Sequence, residues 1–151
     1  MNIHGTYLVS APPTRVYEGL IDPRVLERVI PGCERLELTG PDQYNAHLKI
    51  GLAALKGSYV GKVHLSDKLP DKQFTLHMDG KGAPGFVKGT AHLNFDEQGS
   101  ATRITLRAQV QVGGLIAAVG SRVIEAVAKK LTEEFFQNFG KIIAGSPKSS
   151  A

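Results

Sequence analysis

The chain has no tryptophan, one cysteine and two methionines among its 151 residues. With Cys33 alone, no disulfide forms within the chain, which excludes a small disulfide-stapled fold. Long apolar runs are also missing: no stretch approaches the roughly 20 residues of a membrane-spanning helix. Nor does charge of one sign gather anywhere. The 18 Lys and Arg against 14 Asp and Glu give a net charge of +4, spread along the whole sequence. A nucleic-acid face would cluster those cations and interleave aromatics between them. Met1-Asn2-Ile3-His4-Gly5 lacks the basic start and apolar middle of a secretion signal. The expected location is therefore the cytoplasm, with any membrane contact peripheral and at its inner face.

What remains is the composition of an ordinary globular domain, 42% hydrophobic and 21% charged. A chain of this length can bury roughly 68–70% of its unfolded surface, enough for a core without staples. One domain is expected over 1–145, with 146–151 as a disordered Ser-rich tail.

Ile3 to Ser10 alternates as a first strand, broken by Ala11-Pro12-Pro13. Thr14 to Leu20 reads as a short helix entered through proline, and Asp22-Pro23 caps a second one, Arg24 to Val29. Turn residues then separate period-2 runs at Gly40-Pro41-Asp42, Leu69-Pro70-Asp71-Lys72, Gly82-Ala83-Pro84-Gly85 and Gln98-Gly99-Ser100, which predicts a series of hairpins. Centring those turns sets Val63 opposite Met78, Leu76 opposite Ala91, and Ala91 opposite Leu106. One apolar face then runs unbroken through four strands, as a sheet buried on one side requires. The other face carries Lys62, His64, His77, Asp79, Lys88, His92 and Arg107. After Gly113-Gly114, an apolar position at every fourth residue (Leu115, Val119, Val123, Val127, Leu131, Phe135 and Phe139) predicts one long helix from Leu115 to about Ile143.

The inward positions are small. Ala46, Gly57, Gly61, Gly80, Gly89, Ala91 and Ala108 fall on the apolar face, and the first half of the long helix adds Ala117, Ala118, Gly120 and Ser121. Interiors normally fill to crystal-like density. A glycine-lined sheet facing an alanine-lined helix fills poorly, so an apolar cavity is expected between them. Its expected lining is Tyr44, Leu48, Tyr59, Val63, Leu76, Met78, Val87, Leu115, Val119 and Val123, with Leu26 and Ile30 as a lid. The tyrosines would offer hydroxyls to a ligand carbonyl.

No catalytic motif competes with that expectation. Gly80-Lys81-Gly82-Ala83-Pro84-Gly85 fits GxGxxG on paper, but a dinucleotide loop needs a helix after it and a strand follows here. His64 and His77 face each other across two strands with no third ligand fixed nearby, so no metal site is expected. Cys33 has no identifiable base to activate it. An enzyme of the cyclase or hydratase kind would have to use Tyr44, Tyr59 or His47 on a bound ligand. The primary expectation is a non-enzymatic binding module, and an assembly adaptor with an incidental pocket is a third reading.

Several runs together carry a family resemblance. Ala11-Pro12-Pro13 with Val16-Tyr17, Asp22-Pro23, Leu26, Ile30-Pro31-Gly32-Cys33-Glu34, Gly51, Gly57, Gly82, Gly89 and Val119-Gly120-Ser121-Arg122 resemble the CoxG-type family of carbon monoxide dehydrogenase proteins. The likeness extends from Ile3 to Phe139 and places the chain beside the START, Bet v 1 and polyketide-cyclase proteins. It implies an α+β helix-grip fold: a curved seven-stranded antiparallel sheet around a long C-terminal helix, with two short helices after strand 1. It further implies a hydrophobic tunnel, a quinone or other lipophilic ligand with no tightly bound cofactor, and association with molybdenum hydroxylases of the carbon monoxide or xanthine dehydrogenase type. Tyr17 stands where the family often has Trp, and some members carry a membrane-anchoring tail beyond the point where this sequence stops.

Overall fold

The computed structural model of the protein describes residues 1–51 and 55–145, and the tail expected at 146–151 lies outside them. Strand β1 (Asn2–Val9) leads to two short helices started by proline, α1 (Pro13–Leu20) and α2 (Pro23–Val29). Proline suits a first helical position, where its missing N–H would have found no partner. Asp22 caps α2 by accepting the Arg24 backbone N–H at 2.9 Å. Gly32 takes φ +76° to turn the chain out of α2, and a Cβ there would run into the Lys49 carbonyl. Six strands follow: β2 (Cys33–Gly40), β3 (Gln43–Ile50), β4 (Gly57–Leu69), β5 (Gln73–Gly82), β6 (Gly85–Gln98) and β7 (Ala101–Gly113).

All pairings are antiparallel, in the order β1-β7-β6-β5-β4-β3-β2. The chain therefore meanders from β2 to β7, and β1 closes the far edge against β7. A C-terminal helix, α3 (Ser121–Gly145), packs against β1, α1 and α2. This is the helix-grip α+β arrangement.

Registers match expectation across β4, β5 and β6, with Val63 opposite Met78 and Leu76 opposite Ala91. The β6–β7 register differs by two residues: Ala91 faces Ala108, not Leu106. Gln98 pairs with Ala101, so the turn is Gly99-Ser100 and lies later than Gln98 suggested. A slip of two keeps every side chain on its face, which is why the apolar face survives the error. All five histidines stand on the outer, convex face.

The core is concentrated at one end of the sheet. Phe74, Phe95 and Tyr17 meet there edge-on or tilted, with ring centroids 5.8–6.2 Å apart. Tyr7 stacks on Phe136 at 4.3 Å, and Phe139 of α3 and Ile104 of β7 are wholly buried.

The long helix differs from expectation. Gly114–Val119 forms a 3-10 segment, Gly120 breaks the chain direction at φ +95°, and α3 begins only at Ser121. Among the segment's six residues Ile116 alone is buried. The every-fourth-residue stripe also misleads, because at about 100° per residue it drifts about 40° with each step. Val123 therefore points about 160° away from Phe139 and is 41% exposed.

Candidate ligand-binding hollow

The registers lay the concave face out in rows across the strands. At the filled end, Phe74, Leu93 and Leu106 form one row, and Phe95 and Ile104 the next. Towards the other end side chains shrink. Leu65, Leu76, Ala91 and Ala108 come first, then Tyr44, Val63, Met78 and Gly89, and then Leu36, Ala46, Gly61, Gly80 and Val87.

In the last of these rows three neighbouring positions, Ala46, Gly61 and Gly80, have almost no side chain, and the space above the two glycines is open. A Cβ built at Gly61 would meet only the Ala46 carbonyl oxygen, at 4.0 Å. At Gly80 the nearest atoms are the Val87 oxygen at 3.8 Å and the Gly61 Cα at 4.0 Å. Gly82, two residues further on the same strand and face, is different: its Cβ would collide with the Ser58 carbonyl and the Tyr59 ring. Gly82 is needed for close approach, whereas Gly61 and Gly80 leave space.

At the start of α3, Ser121 and Glu125 are exposed, whereas Phe139, about five turns on, is completely buried. Ile124 is the one buried residue of that first turn.

A hollow of about 480 Å³ opens beyond the glycine row, at the ends of β2, β3 and β4, lined by Gly32, Cys33, Glu34, Lys49, Ile50, Gly51, Lys56, Gly57 and Ser58 and by none of the floor residues. A second one, of about 470 Å³ and more polar, lies across β5, β6 and β7 beside Met1, Met78, Asp79, Lys88 and Gln111. In it Asp79 Oδ1 is buried without a hydrogen-bond partner.

The structure divides the twelve expected lining residues. Leu26 and Tyr44 belong to the buried core, and Ile30, Val63 and Leu76 pack against it. Tyr59 is buried, while Leu48, Met78, Val87 and Val119 are half-buried on the open side. Leu115 and Val123 are surface residues, Leu115 at 77% exposure, because the helix expected to turn them inward is broken at Gly120. None of the twelve lines the 480 Å³ hollow, and Met78 lines the second. Alternation places Gly57 on the apolar face but could not have found Gly32, Cys33, Glu34 and Gly51, which sit at strand ends and turns where period-2 reasoning stops. The family-like runs contain all five.

The polar groups near the floor are already engaged. Tyr44 donates its hydroxyl to the Ile21 carbonyl at 3.1 Å, and Tyr59 donates to the Leu55 carbonyl at 2.7 Å. Neither proton is free for a ligand carbonyl, contrary to expectation. Burial pushes both phenols and the Cys33 thiol up, so all three stay protonated at neutral pH. His47 lies on the outer face, 2.7 Å from the Glu37 carboxylate, and cannot act with either tyrosine. That hydrogen bond, with Arg35 nearby, holds the Glu37 carboxyl below its usual range. His64 and His77 stack at 5.7 Å on the same outer face, and no group of three or more metal-binding side chains occurs among the described residues. The GxGxxG run is a β-hairpin in which Gly82 pairs with Gly85.

The family model for CoxG, a subunit of carbon monoxide dehydrogenase, matches residues 5–144. The chain belongs to the CoxG family. A conserved protein from Geobacillus kaustophilus is similar to this CoxG-family chain at 36% identity, over 97% of both chains, with a TM-score of 0.94. A START superfamily protein from Mycobacterium smegmatis shares the fold at 12% identity, covering 95% of this chain and 97% of its own, with a TM-score of 0.76. A Thermus thermophilus protein does so at 12% identity, over 98% of this chain and 100% of its own, with a TM-score of 0.73. No curated protein matches the chain. No helix among the described residues is long and apolar enough to cross a membrane.

Proposed function

We propose that this CoxG-family chain is a non-catalytic binder of a lipophilic molecule, a quinone or another lipid. In this reading it acts as an accessory to a molybdenum hydroxylase of the carbon monoxide dehydrogenase type. The observation that carries the reading is the Ala46-Gly61-Gly80 floor, with space for side chains above both glycines. An apolar floor with spare volume favours an apolar guest, because each buried CH₂ contributes about 0.8 kcal/mol. Catalysis is disfavoured because Tyr44 and Tyr59 donate to backbone carbonyls and His47 lies outside. Lys49 and Lys56 against the single carboxylate of Glu34 give the hollow's lining a net positive charge, suited to a peripheral approach to an anionic lipid surface.

Native mass spectrometry of the purified protein, followed by organic extraction, tests the reading. A co-purifying quinone or lipid, lost on Gly61→Leu or Gly80→Leu substitution, is the expected result. A folded protein that carries nothing and takes up no added quinone refutes it and leaves the assembly-adaptor reading in its place.

A further inference from the structure

The outer face of the sheet is polar along most of its length and changes character beside the hollow. The registers lay two rows across it there. One holds His47, Val60, Lys81, Phe86 and Gly113, and the next holds Asn45, Lys62, Asp79, Lys88 and Gln111. At the β2 edge these rows end in Arg35 and Glu37, which pair with each other. Beyond His47 and Val60, Lys49 stands opposite Ser58, and both line the 480 Å³ hollow, so the two regions share a border. Lys49, Lys62, Lys81 and Lys88 are exposed, and none forms an ion pair among the described residues. From β3 to β7 the acid in these three rows is Asp79 alone, so four cations stand against one anion. The next row towards the filled end, Gln43, His64, His77, Thr90 and Gln109, has no lysine, arginine or acid. Two large apolar side chains lie among the lysines: Val60 and Phe86, 40% and 38% exposed, flank Lys81.

We propose that this stretch of the outer face docks on an anionic lipid bilayer, with Val60 and Phe86 in the headgroup layer and the four lysines against lipid phosphates. This rests on the lipophile-binding reading and names the surface that brings the hollow to its lipid. One exposed valine or phenylalanine is ordinary on a protein surface. Their alternation with lysine is what selects the occupant. Protein–protein interfaces favour arginine and are depleted in lysine, and all four cations from β3 to β7 in these rows are lysines. A lysine stem lies along apolar surface while its ammonium group stays in the polar layer above. Each lysine held near an anionic membrane strengthens binding about fivefold, a gain that an uncharged bilayer does not offer.

The chain has no tryptophan, so Phe86→Trp and Leu8→Trp each supply a single emitter. Leu8 is exposed on the same face at the filled end, opposite Arg103. Vesicles of equal phosphatidylglycerol and phosphatidylcholine are expected to shift the Phe86→Trp emission to the blue and to leave Leu8→Trp unmoved. Vesicles of phosphatidylcholine alone are expected to move neither. In vesicle sedimentation, Lys81→Glu reverses one charge at the contact and is expected to weaken binding about thirty-fold. Lys72→Glu makes the same change of net charge just before the other end of β5. It lies roughly 30 Å away, several times the screening length of about 8 Å, and is expected to keep wild-type binding. Equal losses in the two lysine variants, or an equal shift at Leu8→Trp, overturn the docking face. A wild-type protein that ignores the charged vesicles also overturns it and leaves the lysines to an acidic protein surface. Native mass spectrometry keeps the two readings apart. A protein that carries a lipophile yet ignores vesicles loses the docking face alone, and one that docks through Phe86 but carries nothing loses the lipophile reading alone.

Discussion

Gly80 and Gly82 lie on the same strand and the same face, and the structure assigns them opposite tolerances to one methyl group. At Gly80 a Cβ meets no atom nearer than 3.8 Å, and the backbone is in an ordinary region. Alanine there removes the entropic penalty of a strand glycine, about 0.5–1 kcal/mol, so Gly80→Ala should be neutral to slightly stabilising. At Gly82 the same atom overlaps the Ser58 carbonyl and lies 2.9 Å from the Tyr59 ring. Neither neighbour can retreat without shifting the β4–β5 ladder, and overpacking of that kind costs about 1–3 kcal/mol. The two variants should therefore differ by about 1–4 kcal/mol. For a chain of this size that corresponds to about 2–16 °C in Tm. Urea unfolding followed by circular dichroism measures the gap. If Gly80→Ala proves as damaging as Gly82→Ala, there is no space above the floor and the case for a guest lodged there fails. If the gap appears, Gly80→Leu becomes the variant that fills the floor without breaking the sheet.

Thr102, fully buried, donates its hydroxyl to the Ala11 carbonyl at 2.7 Å. Thr102→Val keeps the shape but strips that carbonyl of its donor, at a cost of about 1–3 kcal/mol, seen as a lower urea midpoint with an unchanged slope. Thr102→Ser, which retains the donor, should lose less. Asp22→Ala removes the α2 cap and should cost about 0.5–2 kcal/mol at neutral pH. Burial pushes the Asp22 carboxyl up, but the hydrogen bonds from Arg24 outweigh it and hold the group below its ordinary 3.8. A depressed carboxyl stabilises the fold above that ordinary value and loses the contribution as pH falls through the folded value. The difference between wild type and Asp22→Ala should thus hold steady from neutral pH down towards the ordinary carboxylate range, then narrow below 3.8. A gap that widens in acid would contradict this assignment.

Much of this architecture can be read from the sequence. Pro13, Asp22 and Pro23 mark the helix starts because proline and a capping carboxylate act through their immediate neighbours. The β4–β6 registers follow because turn residues and alternation constrain each other. The β6–β7 turn is harder to place, since Gln98, Gly99 and Ser100 are all acceptable turn residues and alternation cannot detect a shift of two. The helix break is a different failure. Leu115, Val119 and Val123 keep a plausible helical spacing, and nothing in a hydropathy pattern reports that Gly120 takes φ +95°. The floor is legible from paired strands; the Gly32–Glu34 and Gly51 lining is not, because a turn has no face.

The sheet order also shapes how this chain reaches its folded state. From β2 to β7 every strand pairs with its sequence neighbour, so those hairpins can form as the chain lengthens. β1 pairs only with β7, placing Ile3 beside Ala108, and Asn138 of α3 donates to the Val29 carbonyl of α2. During synthesis β1 must therefore wait, unpaired, until β7 has followed. Such distant pairings slow folding and leave a strand available to wrong partners meanwhile. β1 carries a glycine at its centre, Gly5, and exposes His4 and Thr6 on its outer side together with one large apolar residue, Leu8. β1 is thus made well before its only partner strand, and Leu8 is the side chain through which it would meet a wrong one.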